Sequence, residues 1–305
     1  MAKFLGRDVL YDVVTQQTEP RLRVQSGETV VVETEDAAGG RFRSQADVTF
    51  DKASVGYPNP LSGPIYVVGA KPGDTLVVGI ESIDCDTQGY TRYRANSGIF
   101  KSWFTEPRVV VAAIAGNEIL FSPRIRFPLR PMIGTIGVAP ADPSADTGEP
   151  PGTQGGNMDC KDVRAGARLL LPVSAPGALL SLGDVHATQG DGEITGTGLE
   201  ARARVTLKID LQKGRPPAMT WPRLDLPDAI ATIVSAGPME RAFELACWEM
   251  VLWLEEEYAL DRGDAYLLLS NVGDGRVCQA VNTIPTIRCV VPKAALPPSE
   301  RYPIR

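Results

Sequence analysis

The stretch Ala203-Arg-Val-Thr-Leu-Lys-Ile-Asp-Leu211 alternates apolar and polar side chains without a break. Successive side chains of a β-strand point to opposite faces, so the apolar residues of this stretch all fall on one face of an extended chain. They are Val205, Leu207, Ile209 and Leu211. The stretch is therefore predicted to be a strand that packs one face on an apolar core and turns the other to solvent.

Other apolar segments of strand length lie on both sides of this stretch, bounded mostly by Gly, Pro or Asp. The strands predicted from them cover 29–32, 65–68, 76–83, 109–114, 124–129, 168–173, 178–182 and 286–291. The chain of 305 residues also holds 30 glycines and 25 prolines, a share that is typical of turn-rich β proteins. We expect a mainly β fold, arranged as a barrel or as sandwich layers.

Two segments near the C-terminus have the spacing of helices instead. Residues 239–258 repeat apolar side chains every three or four positions, with Phe243, Met250 and Leu254 on the stripe, which predicts a long helix packed on the core. A shorter helix is predicted over 264–271, with Asp261 or Asp264 as its N-cap. The β fold should therefore carry a smaller α+β portion at its C-terminal end.

A connection over 139–156 is rich in Pro, Gly and Asp, which excludes a regular element and is typical of functional loops. We expect an N-terminal β-rich domain over 1–140 and a C-terminal β-rich domain with the α+β portion over 141–305, the two packed intimately against each other.

The composition excludes several partners. A net charge of −6 provides no positive field for phosphates, so nucleic acid is not expected to bind. Apolar stretches fall far short of the roughly 18 residues that a membrane span needs. The five cysteines form no CxxC pair, which predicts reduced thiols and a soluble, cytoplasmic protein.

The single histidine of the chain, His186, lies in a turn-rich acidic segment. Asp184 is two residues away and falls on the same face of an extended strand, and the turn at Gly190-Asp191-Gly192 can bring Glu193 back toward both. This arrangement suits a metal ion, although a lone histidine among acids is also compatible with a hydrogen-bonded polar loop.

A second cluster, Gly155-Gly-Asn-Met-Asp159, follows the long connection. Its two glycines allow the backbone to approach a ligand or another strand closely, and Asn157 and Asp159 supply an amide and a carboxylate at alternate positions. The alternative is a simple Gly-Gly turn with an Asx cap.

Taken together in order, these motifs resemble the acetamidase/formamidase family. The matching segments are Asn59-Pro-Leu-Ser-Gly-Pro-Ile-Tyr-Val67, Gly69-Ala-Lys-Pro-Gly-Asp74, Ile136-Gly-Val-Ala-Pro140, Gly155-Gly-Asn-Met-Asp159 and Gly183-Asp-Val-His-Ala-Thr-Gln-Gly-Asp-Gly-Glu193. The resemblance covers 30–293 and implies a mainly β fold and the hydrolysis of short aliphatic amides to a carboxylate and ammonia. Thr188 departs from the pattern, since a second Ala is common there.

Amide hydrolysis requires a strong nucleophile, a stabilised oxyanion and a proton for the leaving nitrogen. A divalent metal ion, most simply zinc, supplies the first two, and Asp159, Asp184 and His186 are its expected ligands. Glu193 is expected to be a fourth ligand or the general base, and Asn157 to donate to the oxyanion or to hold the loop.

Other assignments stay open in the sequence. Cys160 is a rival nucleophile, with His186 as its base. Gly155, Gly156, Asn59 and Asp36 are candidate substrate-binding residues, of which Asn59 and Asp36 are equally typical turn formers. The same scaffold would also serve a non-catalytic protein that binds a metal or small ligand, or a hydrolase of a lactam or carbamate.

A homo-oligomer, most simply a two-fold dimer, is also expected. Trp248 and Trp253 are about 140° apart on the predicted helix, so one of them should lie near the edge of the buried stripe. Such an aromatic ring is typical of a protein interface, unless a loop of the same chain, for example the one bearing Trp221, covers it.

Overall fold

The computed structural model describes residues 2–44, 47, 59–214, 216 and 219–303. In this part of the chain the first nine strands are β1 (Lys3–Leu5), β2 (Leu22–Val24), β3 (Glu28–Thr34), β4 (Leu61–Val67), β5 (Thr75–Cys85), β6 (Gln88–Tyr93), β7 (Arg108–Ala115), β8 (Glu118–Ser122) and β9 (Ile125–Pro128). The next nine are β10 (Met132–Gly137), β11 (Gly155–Asn157), β12 (Arg168–Pro172), β13 (Leu180–His186), β14 (Ala203–Gln212), β15 (Arg223–Asp225), β16 (Ala229–Ser235), β17 (Asp274–Gln279) and β18 (Thr286–Pro292). The two α-helices are α1 (Met239–Tyr258) and α2 (Arg262–Val272).

The largest sheet has the strand order β1-β3-β14-β5-β12-β15-β16-β18-β17. The alternating stretch that predicted the β fold forms β14, which pairs in antiparallel fashion with β3 on one side and β5 on the other. Val205, Leu207 and Ile209 are fully buried, whereas Thr206 and Asp210 on the other face are partly exposed. The prediction for this stretch is therefore confirmed.

A five-stranded sheet, β11-β10-β13-β4-β2, packs face to face with part of the large sheet. Their common core joins Val32, Val78 and Leu207 of the large sheet to Ile133 and Leu182 of the smaller one. A third sheet, β6-β7-β8-β9, lies beside them. The expected mainly β fold is confirmed in its sandwich form, since none of these sheets closes into a barrel within the described residues.

Helix α1 has the predicted bounds and packs on β16 and β18. The Thr232 hydroxyl of β16 donates to the Ala246 carbonyl at 2.7 Å. The core stripe of α1 runs through Ala246, Met250 and Leu254, but Phe243 is 48% exposed, so its predicted place in the core is wrong. Phe243 lies only about 20° around the helix axis from the buried Met250, so its exposure reflects how far the sheet covers the stripe at the start of α1, where the ring lies over Gly275 of β17.

The second helix begins as predicted from an aspartate cap. The Asp261 side chain accepts from the backbone N–H groups of Gly263 and Asp264, which identifies Asp261 as the N-cap. Both larger sheets take strands from either side of residue 140, where the sequence places a domain boundary. The division into two domains stays a prediction. No helix in the described ranges is long and apolar enough to cross a membrane.

Candidate active site

Three neighbouring strands of the smaller sheet, β10, β11 and β13, bring the two sequence motifs together. Thr135 of β10 lies opposite Asn157 of β11 on one side and Gly183 of β13 on the other. Its hydroxyl is 3.1 Å from both Asn157 Oδ1 and Asp184 Oδ2. Next to these strands lies a cavity of about 410 Å³. The polar residues of the predicted motifs that line it are Asn59, Asn157, Asp159, Asp184 and Glu193.

His186 ends β13 and is completely buried. Its Nδ1 is 2.8 Å from the Gln189 side-chain oxygen. The amide nitrogen of Gln189 donates to the carbonyls of Asp159 and Cys278, so the orientation of this amide is determined by the hydrogen bonds. Because Gln189 Oε1 only accepts, Nδ1 of His186 must carry a proton. In the neutral imidazole, the Nε2 lone pair is therefore free to bind a cation.

Two buried carboxylates face this lone pair. His186 Nε2 is 3.2 Å from Asp184 Oδ1 and 3.2 Å from Glu200 Oε1. Either a proton or a metal ion must reside between these atoms, because a lone pair and two carboxylates repel one another. The histidine also belongs to a second group with Asp159 and Glu193, and the candidate ligand atoms in each group lie within 4.8 Å of one another.

Two carboxylate oxygens of this cluster are buried and have no hydrogen-bond partner, namely Asp159 Oδ1 and Glu200 Oε2. Leaving a buried charged oxygen unpaired is costly, on the order of several kcal/mol, and a bound cation would satisfy it. The donor set of one imidazole and several carboxylates suits a divalent first-row metal such as zinc. The residues present therefore fit the divalent metal ion that the sequence predicts.

The pKa shifts of the cluster arise from burial and from the charges of neighbouring members of the cluster. Burial raises the pKa of Glu193 to about 7 and that of Glu200 to about 8. Burial and the nearby charge of Glu193 also raise the pKa of Asp159. Burial alone would lower the pKa of His186, but Glu200 and Asp184 outweigh it and raise that pKa well above its ordinary value. The buried acids thus cannot all ionise unless positive charge is present between them.

The backbone around the cavity is held in an uncommon conformation. Asn59, Asp159, Asp184 and Glu193 all have positive φ, between 44° and 55°. Such a conformation costs about 1 kcal/mol or more at a residue other than Gly, and it is typical of functional sites. Four strained residues lining one cavity indicate that the fold places their side chains at the expense of local backbone energy.

The structure brings most of the predicted site residues to the cavity. The Asn59 amide donates to Asp184 Oδ2 at 3.0 Å, and the Asn157 amide donates to Glu149. Asp36 is a correction, since its carboxylate instead accepts from the backbone N–H groups of Ala38 and Gly40 and closes a turn. Here the turn-former alternative is the one observed.

Gly155 and Gly156 are also corrected, because they are buried in the sheet and are not among the residues that line the cavity. A Cβ at Gly155 would lie 2.5 Å from the Ile136 carbonyl oxygen, and a Cβ at Gly156 would lie 2.7 Å from the Gly148 carbonyl oxygen. Both also have positive φ. They let strands approach closely rather than bind a substrate.

Sequence reasoning missed Glu200, which lies just ahead of β14 and pairs through its backbone with Tyr90. It also missed Glu149 and the cavity-lining arginines Arg92 and Arg94. Gln189 stands within the quoted motif, but nothing in the sequence assigns it a role. No local spacing connects these residues to His186, because they arrive from separate strands and loops.

Cys160 follows Asp159 but points away from the chemistry described above. Its thiol is completely buried, and burial together with Cys278 raises its pKa well above the ordinary value. Lys161 pairs with Asp191 at 2.9 Å, and both ring nitrogens of His186 face other groups. These contacts do not provide the base that a thiolate nucleophile needs.

We therefore expect Cys160→Ala to keep at least about a tenth of the wild-type rate in the amide hydrolysis that the resemblance implies, since truncating a buried thiol only opens a small cavity. Ammonia release per mole of bound metal is the measurement, and thermal melting controls for stability. A loss of several orders of magnitude at unchanged metal content would instead establish the covalent mechanism.

Comparison with known proteins agrees with the family resemblance seen in the sequence. The chain matches the sequence profile of the Acetamidase/Formamidase family over residues 14–149 and 142–297. It is similar in structure to an acetamidase from Bacillus halodurans, with 34% identity, a TM-score of 0.89 and coverage of 95% of this chain and 97% of that one. An acetamidase from Yersinia enterocolitica gives 30% identity, a TM-score of 0.90 and coverage of 97% and 93%.

A formamidase from Methylophilus methylotrophus is 28% identical over 250 residues, which is 62% of this chain and 61% of that protein. The chain thus spans about three fifths of the length of the curated relatives that it matches first.

Proposed function

Because the chain belongs to the acetamidase/formamidase family, we propose that it hydrolyses a short linear aliphatic amide, of the formamide or acetamide type, with the help of a divalent metal ion. The observation that carries this proposal is the buried Nε2 of His186, 3.2 Å from one oxygen each of Asp184 and Glu200. This set of groups has no need to be buried together in a protein that only packs a core.

His186, Asp184 and Asp159 are the proposed ligands, with Glu200 beside them. The metal, when bound, polarises the amide carbonyl and lowers the pKa of a water molecule. Zinc is the ion that this donor set favours most simply. Gln189 orients the imidazole through Nδ1, and Asn59 and Thr135 orient Asp184, so each ligand is held by a neighbour.

The remaining cavity residues handle the proton and the carbonyl. Burial raises the pKa of Glu193 to about 7, so its carboxyl can take a proton from water and return it to the departing nitrogen near neutral pH. Asn157 donates one amide hydrogen to Glu149, which leaves its second for the carbonyl oxygen of a substrate. The net reaction converts an amide and water into a carboxylate and an ammonium ion, the second proton of the water leaving with the nitrogen.

Metal analysis combined with an ammonia-release assay tests this proposal. We expect protein purified without added metal to carry about one zinc or similar ion per chain, to lose activity on chelation, and to regain it on adding the metal back. The assay should include formamide, acetamide, a lactam and a carbamate. Metal binding with no turnover of any of them would instead identify a non-catalytic binding protein.

We further propose a homodimer located in the cytoplasm. Of the two tryptophans, Trp253 is buried within the chain against Tyr302, with ring centroids 5.1 Å apart, so it is not available to an interface. Trp248 is 47% exposed, with the Arg262 guanidinium 5.5 Å from its ring, and exposed aromatic side chains are typical of interfaces. All five cysteines are free, which is compatible with a reducing compartment.

Light scattering at micromolar concentration should report about twice the mass of the 32.8 kDa chain. Trp248→Ala should shift this equilibrium toward the monomer, whereas Trp221→Ala should not. A single species at the mass of one chain would contradict the dimer.

A further inference from the structure

Two arginines line the cavity that also contains the candidate metal ligands. Arg92 lies in β6 and Arg94 follows directly after it, and both line the cavity. Arg92 shares a strand face with Tyr90, since alternate residues of a strand point the same way, and Arg94 begins the turn that follows β6. Tyr90 pairs with Glu200 through two backbone hydrogen bonds. Strand β6 therefore runs from its backbone pairing with Glu200 toward the two arginines.

The backbone of both arginines is held in place by hydroxyl groups. Thr197 Oγ1 accepts from the Arg92 N–H at 3.0 Å and donates to the Arg92 carbonyl at 2.9 Å. Ser97 Oγ accepts from the Arg94 N–H at 3.1 Å and donates to the Arg94 carbonyl at 2.7 Å. The Arg92 guanidinium also lies 5.4 Å from the centre of the Phe42 ring. These hydrogen bonds therefore fix the backbone from which each of the two arginine side chains extends.

The guanidinium of Arg94 has no acidic partner among the described residues, although the cavity is rich in acids. The carboxylates of Glu149, Glu193 and Glu200 line the same cavity but do not come within 4.0 Å of it. Burial and the positive charge of Arg92 lower the pKa of Arg94. Arg94 is exposed to solvent and lines the cavity, so an anionic group of a molecule in the cavity can reach its guanidinium.

The size of the cavity leaves room for a substrate that reaches the arginines. Its volume of about 410 Å³ corresponds to roughly a dozen waters, at about 30 Å³ each. A molecule such as acetamide displaces roughly three waters, and would leave most of the space between the cluster and Arg94 filled by solvent. A longer acyl group would fill it.

We infer that the preferred substrate is a primary amide whose acyl chain ends in a carboxylate, with the amide at the His186 cluster and the carboxylate bound by Arg94 beside Arg92. This inference rests on the proposed amide hydrolysis. Because ammonia is the leaving group there, the acyl side is the one place where the substrate can carry its anionic group. A guanidinium binds a carboxylate through two parallel hydrogen bonds, which a neutral group of the same shape cannot replace.

The test compares two amides of equal size. Succinamate carries a terminal carboxylate, and in isocaproamide an isopropyl group takes its place. We expect the wild-type kcat/KM to be at least about tenfold higher for succinamate, because a charge-assisted pair contributes about ten- to hundredfold in binding. Arg94→Ala should remove most of this ratio through a rise in KM for succinamate, and Arg94→Lys should keep part of it.

Arg126→Ala is the matched control, because Arg126 is an exposed arginine of β9 away from the cavity lining. It should leave the ratio unchanged. Hydrolysis of neutral short amides with no preference for succinamate would overturn the inference while leaving the proposed function intact. Absence of any turnover by the metal-loaded protein would overturn the proposed function instead. Calorimetric binding of both amides to chelator-treated protein would then decide the inference, since tighter binding of succinamate that depends on Arg94 supports it and equal binding refutes it.

Discussion

Replacing His186 with alanine is expected to abolish both metal retention and amide hydrolysis while leaving the fold largely intact. His186 belongs to both groups of candidate ligands, one with Asp184 and Glu200 and the other with Asp159 and Glu193. Its removal leaves only carboxylates, which attract a cation but offer no nitrogen ligand. We expect the rate of ammonia release to fall by at least about a thousandfold.

The fold should persist, because the backbone of β13 keeps its pairing with β10 and β4. Far-UV circular dichroism and thermal melting check this, and elemental analysis reports metal content. Chelator-treated wild-type protein is the control, because it lacks metal but keeps the imidazole and should recover activity when metal is returned. Normal turnover by a folded His186→Ala protein would eliminate both the metal mechanism and the cysteine mechanism.

Gly134→Ala is the second substitution from which a large effect is expected, although nothing in the sequence indicates that Gly134 is important for the site. A Cβ at this position of β10 would lie 2.7 Å from Asp159 Oδ1, 2.7 Å from Asp184 Oδ2 and 2.7 Å from the Asp184 carbonyl oxygen. One methyl group would therefore push two proposed ligands apart. Displacing catalytic groups by about 1 Å costs about a hundredfold in rate, and overpacking costs about 1–3 kcal/mol of stability.

The expected result is a folded protein with reduced metal content and at least about a hundredfold lower kcat/KM. Gly79→Ala in β5 is the matched control, since a Cβ there meets Lys208 Cβ at an ordinary 3.5 Å. Both variants place alanine in a strand, so a shared loss would reflect strand propensity alone. Wild-type activity and metal content in Gly134→Ala would contradict the arrangement of Asp159 and Asp184 around this glycine.

Predictions that depend on local periodicity agree closely with the structure. The stretch over 203–211 forms the central part of β14, and the helix over 239–258 has the observed bounds of α1. The failure at Phe243 has a different cause. Apolar spacing shows which residues can share a stripe, whereas the position of β16 and β18 decides which edge of that stripe is covered.

The accuracy of the predictions about the site depended on how close its residues are to one another in the sequence. Asp184 and His186 are two residues apart at the end of one strand, so the sequence places them near each other, and the left-handed backbone at Asp184, with a φ of 55°, is a departure from regular strand geometry that only the structure shows. The turn before Glu193 made its approach to His186 predictable as well. Asp36 and the two glycines were assigned from residue type alone, and the structure gives them turn and packing roles instead.

The sequence by itself determined the β character of the chain, the two C-terminal helices, the resemblance that identifies the family, and a site centred on the single histidine. Each of these is encoded in residues that lie close together or in motifs of fixed order. Only the tertiary structure decided that Glu200 faces His186, that Gln189 sets the proton on its ring, that Gly134 makes room for two carboxylates and that two arginines line the same cavity. Except for Gln189, which is three residues from His186, these contacts join residues from separate strands and loops. Their distances depend on sheet register and packing, which no local pattern of side chains specifies.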